Sequence, residues 1–297
     1  MKNLIIIALV VSATLTSCDK EDELDLPFKI EGLTHDNFPV LDGSTTAGPL
    51  IVLIAMKLLG NDWWKEGFIE QKLTTSQTHD AFINLIDKKA DLIFSARTMS
   101  ADEKAYTTQA GVRLIETPVA LDALIFIVHP DNPVKSLTHK QLQGIYTKKI
   151  TNWKDVDGNN APITPYVRNR NSGSQELMEA LLLNEPISDD FPEDQVIWSM
   201  MPLLSAVQTD VNGLGYTVAY YRTIMHSDFE GIKSLEVDGI YPDGKTIKTW
   251  KYLYTSEFYA IIRSDLDKSS MAYKLYELMQ TKAGQRVISD SGYVPLF

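Results

Sequence analysis

Apolar positions along this chain follow two alternating patterns. Short apolar runs at residues 40–42, 71–74, 91–95, 112–116, 123–128, 163–167, 215–218 and 258–262 predict strands. Between them, apolar residues recur at spacings of three and four over 50–59, 80–88, 139–146, 175–183 and 271–280, which predicts helices. Ser100 with Glu103, Thr138 with Gln141 and Ser172 with Gln175 each have the spacing of a capping box, where a hydroxyl and a side chain three residues on serve each other's backbone N–H. Strands alternating with helices imply an α/β fold with largely parallel sheets. A separate pattern opens the chain. Lys2 precedes an apolar run from Leu4 to Val11, then small residues up to Cys18, the only cysteine. The run is too short to cross a bilayer, which takes roughly 20 residues, so residues 1–17 read as a secretory leader. Residues 18–37 are polar and acidic and read as a solvated tether.

Composition narrows the function classes. With 44% hydrophobic and 23% charged residues the chain is ordinarily globular, and its length suits two cores. Its formal charge of −11 argues against nucleic acid, whose binding needs clustered Lys and Arg over phosphates. Any bound anion must therefore be held by local donors and not by a global field.

Three strand-to-helix junctions offer such donors. They are the segments Asp42 to Pro49, Thr74 to His79 and Arg168 to Ser174, each rich in Gly, Ser and Thr. A helix start exposes unpaired N–H groups and the positive end of the helix dipole, so hydroxyls and close-approaching glycines there form an anion cradle. Ligands of open α/β sheets sit where such turns converge. The candidate donors are Ser44, Thr45, Thr46, Thr78, Ser172, Gly173 and Ser174. Arg168, four residues before Ser172, can bring a planar guanidinium fork to the same anion.

Asp42-Gly-Ser-Thr-Thr, His129-Pro-Asp-Asn-Pro-Val, Leu137-Thr-His-Lys-Gln-Leu, Ile145-Tyr-Thr-Lys-Lys-Ile-Thr-Asn-Trp, Arg168-Asn-Arg-Asn-Ser-Gly-Ser-Gln-Glu, Gly213-Leu-Gly-Tyr and Ser291-Gly-Tyr-Val-Pro-Leu together resemble the phosphate-binding components of bacterial phosphate ABC transporters. The resemblance implies a two-lobed periplasmic binding protein of type II, with an inter-lobe cleft and a hinge. Lobe one would take residues 38–121 and 255–297, and lobe two 122–254. It further implies a monomer that captures inorganic phosphate or a similar oxyanion for an ABC permease, with no cofactor and no metal. Arg97 departs from family members that carry an acid there, one able to accept the proton of hydrogen phosphate, and joins the candidate ligands. An arginine ligand would favour the more highly charged anion, so affinity would rise from pH 6 to 8 and sulfate would compete. Asp42, Asp80 and Glu176 are alternative acceptors.

Rival classes are a sulfate-like binder or sensor without transport, and a phosphate-ester enzyme. Gly43 and Gly48 have the glycine spacing of a P-loop, but Pro49-Leu50 replaces the Lys-Ser/Thr that would meet nucleotide phosphates. The five histidines lack metal-ligand spacing. The protein is therefore expected not to be an enzyme. Leu15-Thr-Ser-Cys18 resembles the lipobox of bacterial lipoproteins, implying extracytoplasmic anchoring through lipid on Cys18, with no other membrane contact. Cys18→Ala should move the protein from the membrane to the soluble fraction on fractionation; unchanged retention would remove the anchor.

Overall fold

The structure, a computed structural model, describes residues 27–297 except 61, 62, 185 and 189. The leader, Cys18 and residues 18–26 of the expected tether lie outside the described residues. The tether is shorter than expected: Ile30 is buried in the first core, with Phe28 and Leu33 packed against it. These apolar residues are spaced closely enough to dock the strand-leading segment.

Chain order runs β1 (Leu41–Gly43), α1 (Gly48–Leu59), α2 (Phe68–Lys72), α3 (Thr78–Ile86), β2 (Leu92–Ser95), α4 (Ala101–Ala110) and the long β3 (Leu114–Val128). A middle portion follows: β4 (Ser136–Leu137), α5 (His139–Tyr146), β5 (Thr164–Pro165), β6 (Val167–Arg168), α6 (Gly173–Met178), β7 (Val196–Ile197), α7 (Met200–Thr209), β8 (Gly213–Val218), β9 (Lys233–Ser234), β10 (Glu236–Val237) and α8 (Gly244–Lys248). The chain returns through β11 (Thr255–Arg263), α9 (Met271–Met279), α10 (Lys282–Ser291) and β12 (Val294–Pro295).

The main sheet has the order β1-β2-β11-β3-β8-β5, with β9 and β12 also paired to β3. This is α/β, as expected, but the sheet is not largely parallel. Only β1 with β2 and β5 with β8 run parallel; β2–β11, β11–β3 and β3–β8 are antiparallel. The reason is topological. β3 carries the chain outward from one core to the other and β11 brings it back, so the two pair head to tail, from Leu114↔Arg263 to Ala123↔Thr255. Parallel pairing survives where a helical crossover joins two strands on the same core.

Other local expectations shift for similar reasons. The runs at 112–116 and 123–128 belong to the single strand β3, and 71–74 is the end of α2 followed by a bridge from Leu73 to Leu41. The run at 163–167 splits between β5 and β6, which sit in different sheets. The boxes at Ser100–Glu103 and Thr138–Gln141 form in full. At Ser172 only half forms: its Oγ accepts from Gln175 N, while Gln175 Oε1 accepts instead from Arg168 N at 2.9 Å and from the Tyr216 hydroxyl.

Two principal apolar cores lie on either side of the strand crossing. One gathers Ile30 to Ala120 with Phe258 to Tyr293; the other gathers Leu121 to Tyr254. A smaller cluster of Ala81, Phe82, Leu85, Ala90, Ile93 and Ile261 extends the first along α3. Asp122 is buried at the crossing itself, where its Oδ1 accepts from Ala123 N at 2.8 Å and Tyr220 N at 3.0 Å, tying β3 to the end of β8. Burial pushes this carboxyl up to about 6. In the second core, Phe126 meets the rings of Tyr146, Tyr216 and Tyr254 at 6.1, 6.4 and 5.6 Å. Phe126→Ala should cost about 3–5 kcal/mol in urea unfolding, since the rigid tyrosines around it cannot collapse into the void.

Candidate anion-binding site

Asp42 organises the first two junctions. Fully buried at the end of β1, it accepts from Gly43 N (2.7 Å), Ser76 N (2.9 Å), Ser76 Oγ (2.5 Å) and Asn84 Nδ2 (2.9 Å). Its lone pairs are thus spent on holding the loop before α3 against the turn before α1, and it does not line the cavity between the junctions. The turn itself closes tightly. A Cβ at Gly43 would fall on the Phe94 carbonyl, so only glycine lets β1 lie this close to β2 before the Ser44 amide bonds Phe94 O at 3.0 Å. Behind it, the Tyr293 hydroxyl donates to Thr46 O at 3.0 Å, so the C-terminal segment props the first junction.

The second junction ends at Gln77, with φ +70° and ψ 170°, a region costly for any residue with a Cβ. That turn starts α3 at Thr78. On the opposite lobe, Ser172 caps α6, and its hydroxyl pairs with Ser174 at 3.0 Å as Ser44 pairs with Thr46 at 3.1 Å.

These three helix starts wall a small cavity of ≈ 30 Å³. It is lined by Ser44, Thr45, Thr46 and Thr78 from one side, by Arg168, Ser172, Gly173 and Ser174 from the other, and by Gln77, Ala96, Met200 and Val218. Every candidate ligand residue except Arg97 therefore converges on one spot. Gln77, Ala96, Met200 and Val218 were not anticipated. Gln77 had a signal, since it sits inside the second junction, whereas the other three are apolar wall positions with no chemical signature.

Arg168 is 6% exposed. Its Nε donates to Ile197 O (2.9 Å), Nη2 to Trp198 O (3.2 Å) and Nη1 to Ser174 Oγ (3.3 Å). Among the described residues no carboxylate pairs with it. Burial accordingly pulls its pKa below the ordinary arginine range. A dehydrated positive charge facing a cavity of hydroxyls and helix starts is an arrangement that favours an anion.

Arg97 does not join it. It is buried, but both its Nη atoms bond the Glu103 carboxylate at 2.8 Å, and its Nε lies 2.5 Å from Glu176 Oε2. Two acids have drawn the guanidinium into a neighbouring cleft of ≈ 550 Å³, leaving Ala96 as the cavity wall. The expectation that an Arg97 ligand tilts affinity toward higher pH loses its basis. Nor do the alternative acceptors line the cavity: Asp42 is saturated, Asp80 is exposed on α3, and Glu176 faces Arg97.

Residues 67–222, more than half the chain, match the profile of the PBP superfamily domain. The chain belongs to the PBP superfamily. Across 308 aligned residues, and 99% of both chains, it is 24% identical to the phosphate-binding protein PstS of Borreliella burgdorferi. It is 26% identical over 225 residues to PstS of Pseudomonas aeruginosa, covering 68% of this chain and 66% of that one. An ABC-type phosphate transport receptor from Vibrio cholerae superposes with a TM-score of 0.63 over 86% of this chain and 99% of its own, at 23% identity. That likeness shows a shared fold, and the superfamily rests on the profile match.

In this PBP-superfamily chain the lobes are drawn together at the cavity. A Cβ added at Gly173 would overlap Thr78 Oγ1 and sit 3.0 Å from Thr78 Cβ, so the two sides meet at a contact only glycine permits. Gly173 is the first residue of α6, where alanine is locally comfortable. Gly173→Ala should therefore leave the unfolding midpoint nearly unchanged yet weaken oxyanion binding at least tenfold by calorimetry, because the lobes can no longer meet over the ligand.

Proposed function

We propose that this protein is an extracytoplasmic solute-binding protein that captures inorganic phosphate between its lobes and presents it to an ABC permease. The observation that carries the reading is the buried Arg168 guanidinium, unmatched by any described carboxylate, at a cavity ringed by six hydroxyl side chains. The cavity is small, which suits a four-oxygen ion and excludes a sugar or nucleotide from the same spot. Family membership and the PstS relatives support the transport role.

We take the lobes as 38–121 with 255–297, and 122–254; the two cores support this division, although Ile30 and Tyr220 belong to the first core and Leu121 to the second, on which Val294 and Leu296 also pack. The hinge is then the β3–β11 crossing that Asp122 braces. Capture is preferred over turnover because four of the six cavity hydroxyls bond one another in pairs and no histidine or carboxylate stands in the lining to activate them. Lipid on Cys18 would hold the protein at the membrane, and among the described residues no helix is long and apolar enough to span one.

The lining also bears on selectivity. A carboxylate in such a site rejects fully ionised anions, because it can only accept a proton, whereas a hydroxyl can donate as well as accept. With hydroxyls alone, sulfate should compete. Calorimetry of the wild type is expected to give micromolar or tighter phosphate affinity, about −8 kcal/mol or better. Arg168→Ala should weaken it by about 3–5 kcal/mol, and sulfate in excess should raise the apparent Kd. Less than tenfold loss in the variant would take Arg168 out of the site, and indifference to sulfate would require an acceptor from elsewhere.

A further inference from the structure

Beside the anion cavity, the lobes meet at a second polar contact whose charges do not balance. Arg97, just after β2, faces Glu176 on α6 across the cleft at 2.5 Å. The arginine is already neutralised, because Glu103 on α4 engages both Nη atoms. Its Nε–H is not aligned with any acceptor, so Glu176 gains proximity without a well-directed bond. The remaining neighbours add negative charge: Asp102 on α4, Glu179 immediately after α6 and Glu257 on β11, which lines the same cleft with Tyr259. His79 on α3 lies 3.1 Å from Glu103 and 3.6 Å from Asp102, on the far side of the arginine's partner. One guanidinium thus serves several carboxylates, and Glu176 is the member brought in from the other lobe, 20% exposed at its side chain.

We propose that Glu176 is a positioning residue for anion capture that takes up a proton as the lobes close. With the lobes apart, α6 would present Glu176 to water, where a carboxyl titrates near about 4.3. When they meet, burial first and then Glu103, Asp102 and Glu179 raise it to about 7 against the pull of Arg97. The sign follows from linkage. The closed form has the higher pKa, so closure binds a proton between these values. The benefit is fully present at low pH and is lost as pH rises through about 7.

This inference rests on the hinged-binder reading above, and phosphate ionises in the same range, so the test must cancel the ligand's own titration. Wild type, Glu176→Gln and Glu176→Asp are titrated with inorganic phosphate at pH 6 and pH 8, in buffers of differing ionisation enthalpy. Glutamine imitates the protonated carboxyl and does not titrate. The ratio of wild-type to Glu176→Gln affinity should fall about tenfold from pH 6 to pH 8. At pH 6 the wild type should take up close to one proton more per phosphate than Glu176→Gln, and Glu176→Asp should retain part of that uptake. Phosphate binding with equal proton counts and a pH-independent ratio overturns the inference alone. No phosphate binding at either pH overturns the functional reading together with it.

Discussion

The molecule is arranged around a guanidinium that has been dehydrated without being neutralised. Removing a charge from water costs several kcal/mol even after relaxation, and proteins normally offset it with a carboxylate. Among the described residues Arg168 donates to two carbonyls and a serine hydroxyl and to no carboxylate, and under the proposed function the anion would supply the missing compensation. The rest of the second lobe fixes its position. Its own amide is held by Gln175 and the Tyr216 hydroxyl, and Tyr216 is locked among Phe126 and Tyr146. A chain of net charge −11 can build an anion site in this way because the positive potential is local and enclosed.

Half of the site is useless without the other half. The first junction depends on Asp42 and on Tyr293 from the far end of the chain, the third on the second core, and the two meet only because β3 and β11 hold both cores on one sheet. The contact between Gly173 and Thr78 shows how little clearance is left at closure. Two cores joined by two long strands can rotate with small backbone changes, while each half-site remains rigid on its own lobe. Under the proposed function, closing would strip water from the anion and strengthen each bond to it.

Arg97 and Arg168 are both buried arginines close to helix starts, and their fates differ because of their neighbours. Glu103 is fixed by its capping box beside Arg97 and takes both Nη atoms, whereas among the described residues no acid pairs with Arg168. One arginine becomes part of the frame, and the other keeps a charge that the proposed function assigns to the anion. The excess acid left around Arg97 makes the inter-lobe contact responsive to protons, a property distinct from anion recognition.

The sequence by itself determined the local chemistry: which turns carry Gly, Ser and Thr before a helix, where capping boxes start α4 and α5, and that Arg168 stands next to a hydroxyl-rich helix start. Those features depend on residues within a turn of one another, and the motifs they form also carried the family resemblance. Only the tertiary structure decided what depends on distant partners. The sheet is mixed because the chain crosses between cores twice, a fact no local period records. Arg97 leaves the anion because Glu103 and Glu176 reach it first, and Gln77 lines the cavity through a strained turn that its residue type disfavours. Gln175 abandons its capping role because Tyr216, far along the chain, offers its side chain a buried partner.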